Sequence, residues 1–252
     1  AQQVAFFSSG LQPISLGILL DRSDSMALAA KLARAKAAAR LLVDTSHRKS
    51  EYLYLAFDAG WSLSAEFTYD PDQVKQEIAE TTVGKGTRLY DALLVALERS
   101  RQAKYGRQAL IVITDGHDQH SSHTLDDLIS ALQESQVQLY TIGYFSSREE
   151  EICRRSGAKI ALENDQLTDN PMIVFKRLAK ESGAEAFFPR SDKELQSAVS
   201  QISNDLRTQY TLAYYPSNSA PSNRYRRIQV KPRPKGLAVR ARRGYVMSPT
   251  SP

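Results

Sequence analysis

A single cysteine, Cys153, stands in 252 residues. That excludes an internal disulfide framework and any zinc site built from several thiolates, and its setting in a helical pattern reads as a buried thiol. Long apolar runs are missing as well. None approaches the roughly 18 residues that cross a bilayer, and the run nearest the start reaches only from Ile14 to Leu20. The chain opens Ala-Gln-Gln, without the basic stretch and apolar core of a secretory leader, although a leader already cleaved would leave no mark. There is no internal repeat and no low-complexity tract. Acidic residues stop at Asp205, while ten Lys and Arg follow it. The first 205 residues hold the other 23 basic residues against 28 acids, so a body of net charge −5 precedes a strongly basic end.

What is present is the composition of an ordinary globular protein, with 42% hydrophobic and 24% charged residues. The length suits one large domain or two small ones. Ile14–Leu20, Ala109–Ile113 and Gln138–Tyr144 are short apolar runs of the kind that form strands buried on both faces. Tyr52–Phe57 and Leu63–Thr68 read as two further strands joined by a hairpin break at Asp58-Ala-Gly60. Between these lie helical patterns. Leu28, Leu32, Ala35, Ala39 and Leu42 recur at steps of four and three, predicting a helix from Met26 to about Val43. Asp70-Pro71 caps a helix to about Glu80. Further helices are predicted over 89–103, 125–133 (capped by Thr124), 149–155 and 167–182, around a polar stretch Glu163-Asn-Asp165 that fits neither pattern. Ala186–Phe188 reads as a short strand, and Ser191-Asp-Lys-Glu194 as the capping box of a helix to about Thr208. Strands alternating with helices predict an α/β fold with a mostly parallel central sheet. The tail differs: Tyr210–Tyr215, Tyr225–Lys231 and Leu237–Arg242 are strand-like runs without helices between them, predicting an antiparallel β extension packed on or extending the sheet.

Three polar loops adjoin these elements. Asp21-Arg-Ser23-Asp-Ser25 follows the first inner strand, Thr114-Asp115-Gly-His-Asp118 follows the second, and Gly84-Lys-Gly-Thr87 leads into the helix at Leu89. Open α/β sheets bind ligands beyond the carboxyl ends of their strands, where the strand order reverses. In an extended segment, residues at i, i+2 and i+4 share a side, so Asp21, Ser23 and Ser25 can converge while Arg22 and Asp24 turn away. Two carboxylates (Asp21, Asp115) and three hydroxyls (Ser23, Ser25, Thr87) make a hard, all-oxygen set suited to magnesium, manganese or calcium. Neutral serine ligands leave such a metal residual positive charge with which to attract a carboxylate from outside.

At these residues the chain resembles the metal-ion-dependent adhesion site of von Willebrand factor A domains. The motif context is similar too: Ser25-Met26 entering a helix, Gly86-Thr-Arg-Leu-Tyr-Asp-Ala92, and Ile113-Thr-Asp-Gly116. The similarity covers roughly residues 12–205 and implies a Rossmann-like von Willebrand factor A fold over 10–205, followed by a basic β extension over 206–247. It implies that Ser23, Ser25 and Thr87 coordinate Mg2+ (or Mn2+ or Ca2+) through their hydroxyls, with Asp21 and Asp115 acting mainly through bound water. An acidic group of a protein or other anionic ligand would complete the shell beside Asp24, Gly86 and His117. Position 24, commonly glycine in the family, is Asp24 here, so that its carboxylate either strengthens the metal site and repels an anion or points into solvent. The tail segments Gln209–Pro216 and Val239–Tyr245 resemble the C-terminal part of bacterial, acidobacterial-type proteins related to von Willebrand factor A, which implies an exported protein; the adhesion-site resemblance implies a binding function and no catalysis.

Other chemistry is poorly supplied. A phosphoaspartate-forming hydrolase needs a second acid two residues after its nucleophile, and that position is Ser23. The Gly84–Gly86 loop lacks the Gly-x4-Gly-Lys-Ser/Thr pattern of a phosphate cradle. His117, His120 and His123 have no Cys or Glu support at zinc-ligand spacing and read as a titratable rim beside the metal site. The runner-up function is a structural or assembly module whose metal only stabilises loops. The basic tail reads as a solvated, edge-protecting face with a possible polyanion contact.

Overall fold

The structure is a computed structural model that describes residues 2–10, 12–63, 66–161, 167–217, 222–234 and 236–247. The polar stretch at 163–165, the middle of the predicted strand over 63–68 (residues 64–65) and Lys235 lie outside the described residues.

Strands β2 (Ser15–Asp21), β3 (Glu51–Phe57), β4 (Trp61–Leu63), β5 (Gln108–Thr114), β6 (Gln138–Gly143) and β9 (Ala186–Phe187) form one six-stranded sheet in the order β4-β3-β2-β5-β6-β9. Every neighbouring pair is parallel except β3–β4, the hairpin turned by residues 58–60. The mostly parallel sheet and its antiparallel edge are therefore as the sequence predicts. Every residue of β2 and β3 is buried, which is why their sequences are apolar without alternation. Alternate side chains still divide between two cores. Leu16, Ile18 and Leu20 of β2 pack with helices α1 (Lys31–Asp44), α2 (Pro71–Glu80) and α7 (Asp192–Thr208) on one face. Leu19, Leu55 and Val112 pack with α3 (Leu89–Ser100), α4 (Leu125–Glu134) and α6 (Pro171–Ser182) on the other. Helix α5 (Ser147–Arg155) closes a smaller cluster of Cys153, Ile160 and Met172, and the Cys153 thiol is buried as expected.

Local capping sets the helix starts. Asp70 accepts from the amides of Asp72 and Gln73 ahead of Pro71, and Thr124 and Asp127 form a reciprocal capping box. Ser191 caps α7 through the Glu194 amide, while the Glu194 carboxylate returns to the Arg190 amide, one residue earlier than a capping box places it.

Several predicted elements are corrected. Residues 26–43 are not one helix: a 3-10 segment, Asp24–Ala30, precedes α1, and Ala30 between them is left-handed (φ 57°, ψ 25°). That step costs about 1–2 kcal/mol for a non-glycine residue and resets the helix rotation. Leu28 consequently leaves the core, 65% exposed, and Lys31 takes the first place on the buried stripe. The helix predicted over 167–182 begins only at Pro171, because Asn170 caps it through the Met172 amide and Pro171 can donate nothing to a preceding turn. Residues before it form β8 (Leu167–Asp169), antiparallel to β7 (Lys159–Ala161). Of the strand predicted over 63–68, Thr68 keeps a single bridge to Tyr52.

The tail does not form one three-stranded unit. β10 (Thr211–Tyr214) pairs with an N-terminal strand, β1 (Val4–Ser8), and β11 (Ser222–Arg227) pairs with β12 (Gly244–Met247), both antiparallel. Among the described residues neither ribbon joins the six-stranded sheet. The run 237–242 is not a strand, because its arginines are drawn to the body. Arg240 pairs with Glu185 and Asp205, Arg242 donates to the Gln133 carbonyl at 3.0 Å, and Arg243 meets Glu181 at 3.2 Å. Gly183, left-handed at φ 81°, ends α6 and admits this strand of chain. A Cβ there would lie 2.4 Å from the Arg242 nitrogen.

Candidate metal centre

From β2 the chain passes to α1 on one face of the sheet, and from β5 to α4 on the other. β2 and β5 are neighbours, so the loops leaving them part and open a crevice at their carboxyl ends, the switch point of an open α/β sheet. Asp21 ends β2 and Asp115 follows β5; they are 0% and 1% exposed. The segment between α2 and α3 crosses the same end of the sheet and brings Thr87, also buried.

Hydrogen bonds across these loops fix the rim. Asp21 accepts from the Ser23 amide at 2.8 Å and from the Thr114 hydroxyl at 2.5 Å. The Ser23 and Ser25 hydroxyls lie 3.1 Å apart, so this side of the motif converges as its spacing predicts. Arg22 turns away to Asp58, 3.2 Å distant. Asp24 is exposed and accepts from the Gly86 amide at 3.3 Å, which ties the first loop to the one carrying Thr87. The Gly84 amide donates to the Arg22 carbonyl at 2.6 Å in the same seam. On the far side, the amides of Gln119 and His120 donate to the Thr87 carbonyl at 3.2 and 3.0 Å. Gly86 itself is left-handed (φ 65°), and a Cβ there would approach the His120 ring to 2.8 Å. All three loops are thereby stitched into one rim.

Two buried carboxylates so placed disfavour each other's charge. Burial first, and the Asp115 charge second, push the Asp21 carboxyl up to about 7 from an ordinary 3.8, against the pull of the Thr114 and Ser23 hydrogen bonds. An all-oxygen donor set carrying that strain fits a hard divalent cation, which would reverse the shift by favouring both ionised carboxylates.

One charged neighbour escaped the sequence reading. Lys31 Nζ lies 3.0 Å from Asp115 Oδ2 and 3.7 Å from Glu149 Oε2, with Lys31 only 7% exposed. The signal was present, since Lys31 stands four residues before Ala35 on the apolar stripe of α1. Although burial pushes Glu149 up, the amide and hydroxyl of Ser146, then Lys31 and His117, hold its carboxyl below the usual range. His117 thus stands toward Glu149, with a buried Nδ1 that has no hydrogen-bond partner. His123 is bound to Asp91 at 2.8 Å and His120 lies against Gly86. Among the described residues no three His, Cys, Asp or Glu side chains converge as a metal group. At the strand ends the structure brings the Ser23 and Ser25 hydroxyls together beside Asp21, and Thr87 is tied into the rim through its backbone carbonyl.

Fold and crevice define an α/β domain with its binding position at the strand ends. Residues 16–117 match the family model of the von Willebrand factor type A domain, and the sheet with its flanking helices has the fold of such domains. Among solved structures, the chain is similar to BatB of Bacteroides thetaiotaomicron at 20% identity, with 76% of this chain and 98% of that one covered and a TM-score of 0.56. The von Willebrand factor type A protein of Catenulispora acidiphila is 16% identical over 78% of this chain and 43% of its own, with a TM-score of 0.59. The vWF domain of the type V pili tip protein Mfa5 from Porphyromonas gingivalis is 13% identical over 79% and 96%, with a TM-score of 0.60. No match is found among curated protein sequences.

Proposed function

We propose that the crevice binds a divalent cation, Mg2+ or else Mn2+ or Ca2+, through Asp21, Ser23, Ser25, Thr87 and Asp115, and grips an acidic group of a protein partner through it. The observation that carries this reading is the pair of buried carboxylates at one switch point, rimmed by hydroxyls on loops tied to one another. The chain's own residues hold and orient. Thr114 and the Ser23 amide aim Asp21, Asp24 clasps the Thr87 loop, and Gly86 with His117 borders the open side. The ion would supply residual positive charge for an incoming carboxylate, and no covalent chemistry is required of the protein. Similar folds in a type V pili tip protein and a minor pilin support adhesion and an exported location for this chain as well. The exposed basic residues of the tail, such as Arg227, Lys231 and Arg233, give a secondary contact for acidic surfaces that weakens with salt.

Calorimetric titration of the EDTA-treated chain with magnesium, manganese and calcium tests the reading. Saturable binding that disappears in Asp21→Ala, together with partner binding abolished by EDTA, is the expected result. Absence of binding for all three ions would refute it. Were EDTA to lower the melting temperature while partner binding survived, the metal would be a loop stabiliser and the domain an assembly module.

A further inference from the structure

We propose that Lys31 is a resident counter-ion of this site: its ammonium occupies Asp115 and competes with the divalent ion for that carboxylate. The inference rests on the metal-binding reading and goes beyond it, because it makes the site adjustable by a residue that is not a metal ligand.

Three observations carry it. First, Lys31 is almost fully buried, a placement rare for lysine unless it is paired. Its Nζ lies 3.0 Å from Asp115 Oδ2, an oxygen inside the crevice, and 3.7 Å from Glu149 at its margin. Second, Lys31 is the first residue of α1. The amino end of a helix carries partial positive charge and disfavours a cation, so the helix itself gives no reason for lysine there. The carboxylates in front of it do. Third, the left-handed step at Ala30, the one positive-φ residue other than glycine among those described, stands immediately before Lys31. This strained step rotates α1 so that Lys31, rather than the exposed Leu28, points inward.

The electrostatic consequence follows from counting charges. Asp115 brings negative charge into the crevice, and Lys31 offsets it at contact distance, both side chains being buried. A divalent ion entering beside Asp115 meets a cation already in place, and loses part of the attraction the two carboxylates would exert. Without the ion, the same lysine keeps Asp115 paired and the loops closed. The site thus trades metal affinity for a stable metal-free state, and the ion can come and go without unfolding the rim.

The test uses the full chain and two neutral substitutions, Lys31→Met and Lys31→Gln, with Lys31→Arg as the charge-retaining control. Magnesium and manganese are titrated by calorimetry, and melting is followed in EDTA and in saturating magnesium. Both neutral variants are expected to bind the ion about tenfold more tightly or better, while their melting temperature in EDTA falls and the gap between EDTA and magnesium widens. Lys31→Arg should stay within about threefold of the starting affinity. Gln retains a hydrogen bond to Asp115, so it reports on charge even if Met impairs folding. Unchanged or weaker binding in the neutral variants would overturn the proposal and leave Lys31 as a positioning residue. If neither the unsubstituted chain nor the variants bound, the metal reading would fall and this inference with it.

Discussion

Among the described residues that bury a carboxylate, two places treat it in opposite ways. In the crevice, Lys31 pairs with Asp115 and not with Asp21, and burial, then the Asp115 charge, pushes Asp21 up to about 7. Beside α5, Glu150 is also buried but meets two guanidiniums. Arg190 binds it bidentately at 2.5 and 2.6 Å, and Arg154 donates at 2.8 Å. Arg190 above all, and then Arg154, hold Glu150 below the usual carboxylate range. Negative charge is thus in surplus in the crevice and over-compensated beside α5. The compensated carboxylate is a rivet between α5 and the segment leading into α7, while the carboxylates of the crevice are those of the candidate site.

The comparison can be broken by removing each acid in turn. Glu150→Ala removes the hydrogen bonds from Arg154 and Arg190, both more than half exposed, and should cost about 2 kcal/mol, read from urea unfolding. Asp21→Asn in EDTA should cost far less, or stabilise, because it removes repulsion; an equal loss at both positions would erase the distinction. Of similar size, Gly183→Ala forces a Cβ against the Arg242 backbone at a positive φ and should destabilise by about 2 kcal/mol, again by urea unfolding, with the arginine strap displaced.

The pH dependence sharpens the same contrast. Glu150 is held low in the fold, so its contribution is complete above 4.5 and is lost as pH falls through its lowered value. Asp21 is held high, so in EDTA its effect has the other sign: stability is greatest below about 4 and declines as pH rises toward 7. Saturating magnesium should cancel that decline. Melting temperatures from pH 3 to 8, with and without the ion, check both arms. The smallest expected effect is Asp24→Ala, about 1 kcal/mol for a lost hydrogen bond, measured by urea unfolding, since its carboxylate clasps Gly86 from an exposed position.

The inner sheet was legible in the sequence because strands buried on both faces need apolar runs, and β2, β5 and β6 have them. The loops were legible because polar residues directly after such runs have few other uses. Asp24 was ambiguous until its partner was visible, for Gly86 is 62 residues away. Lys31 was not legible for a different reason. A regular helix from Met26 was assumed, and the left-handed step at Ala30 leaves no mark in a run of alanines. The β8 segment was absorbed into a helix although Asn170-Pro171 marks a helix start. The tail was misread where arginine pairing with the body overrode strand-like alternation. The pairing of β1 with β10 joins segments about 200 residues apart, beyond any local pattern.

That ribbon has a mechanical consequence. Val4 lies opposite Tyr214 and Ser8 opposite Thr211, and the open end is clasped by the Gln2 amide and Ser217 at 3.1 and 3.3 Å. Tension drawn between Gln2 and Ser217 therefore meets the ladder end-on and peels it one pair at a time. The force needed is that of a single clasp, far below what shearing the parallel sheet demands. Under load the ribbon would lengthen first, as a compliant leader that spares the crevice from strain.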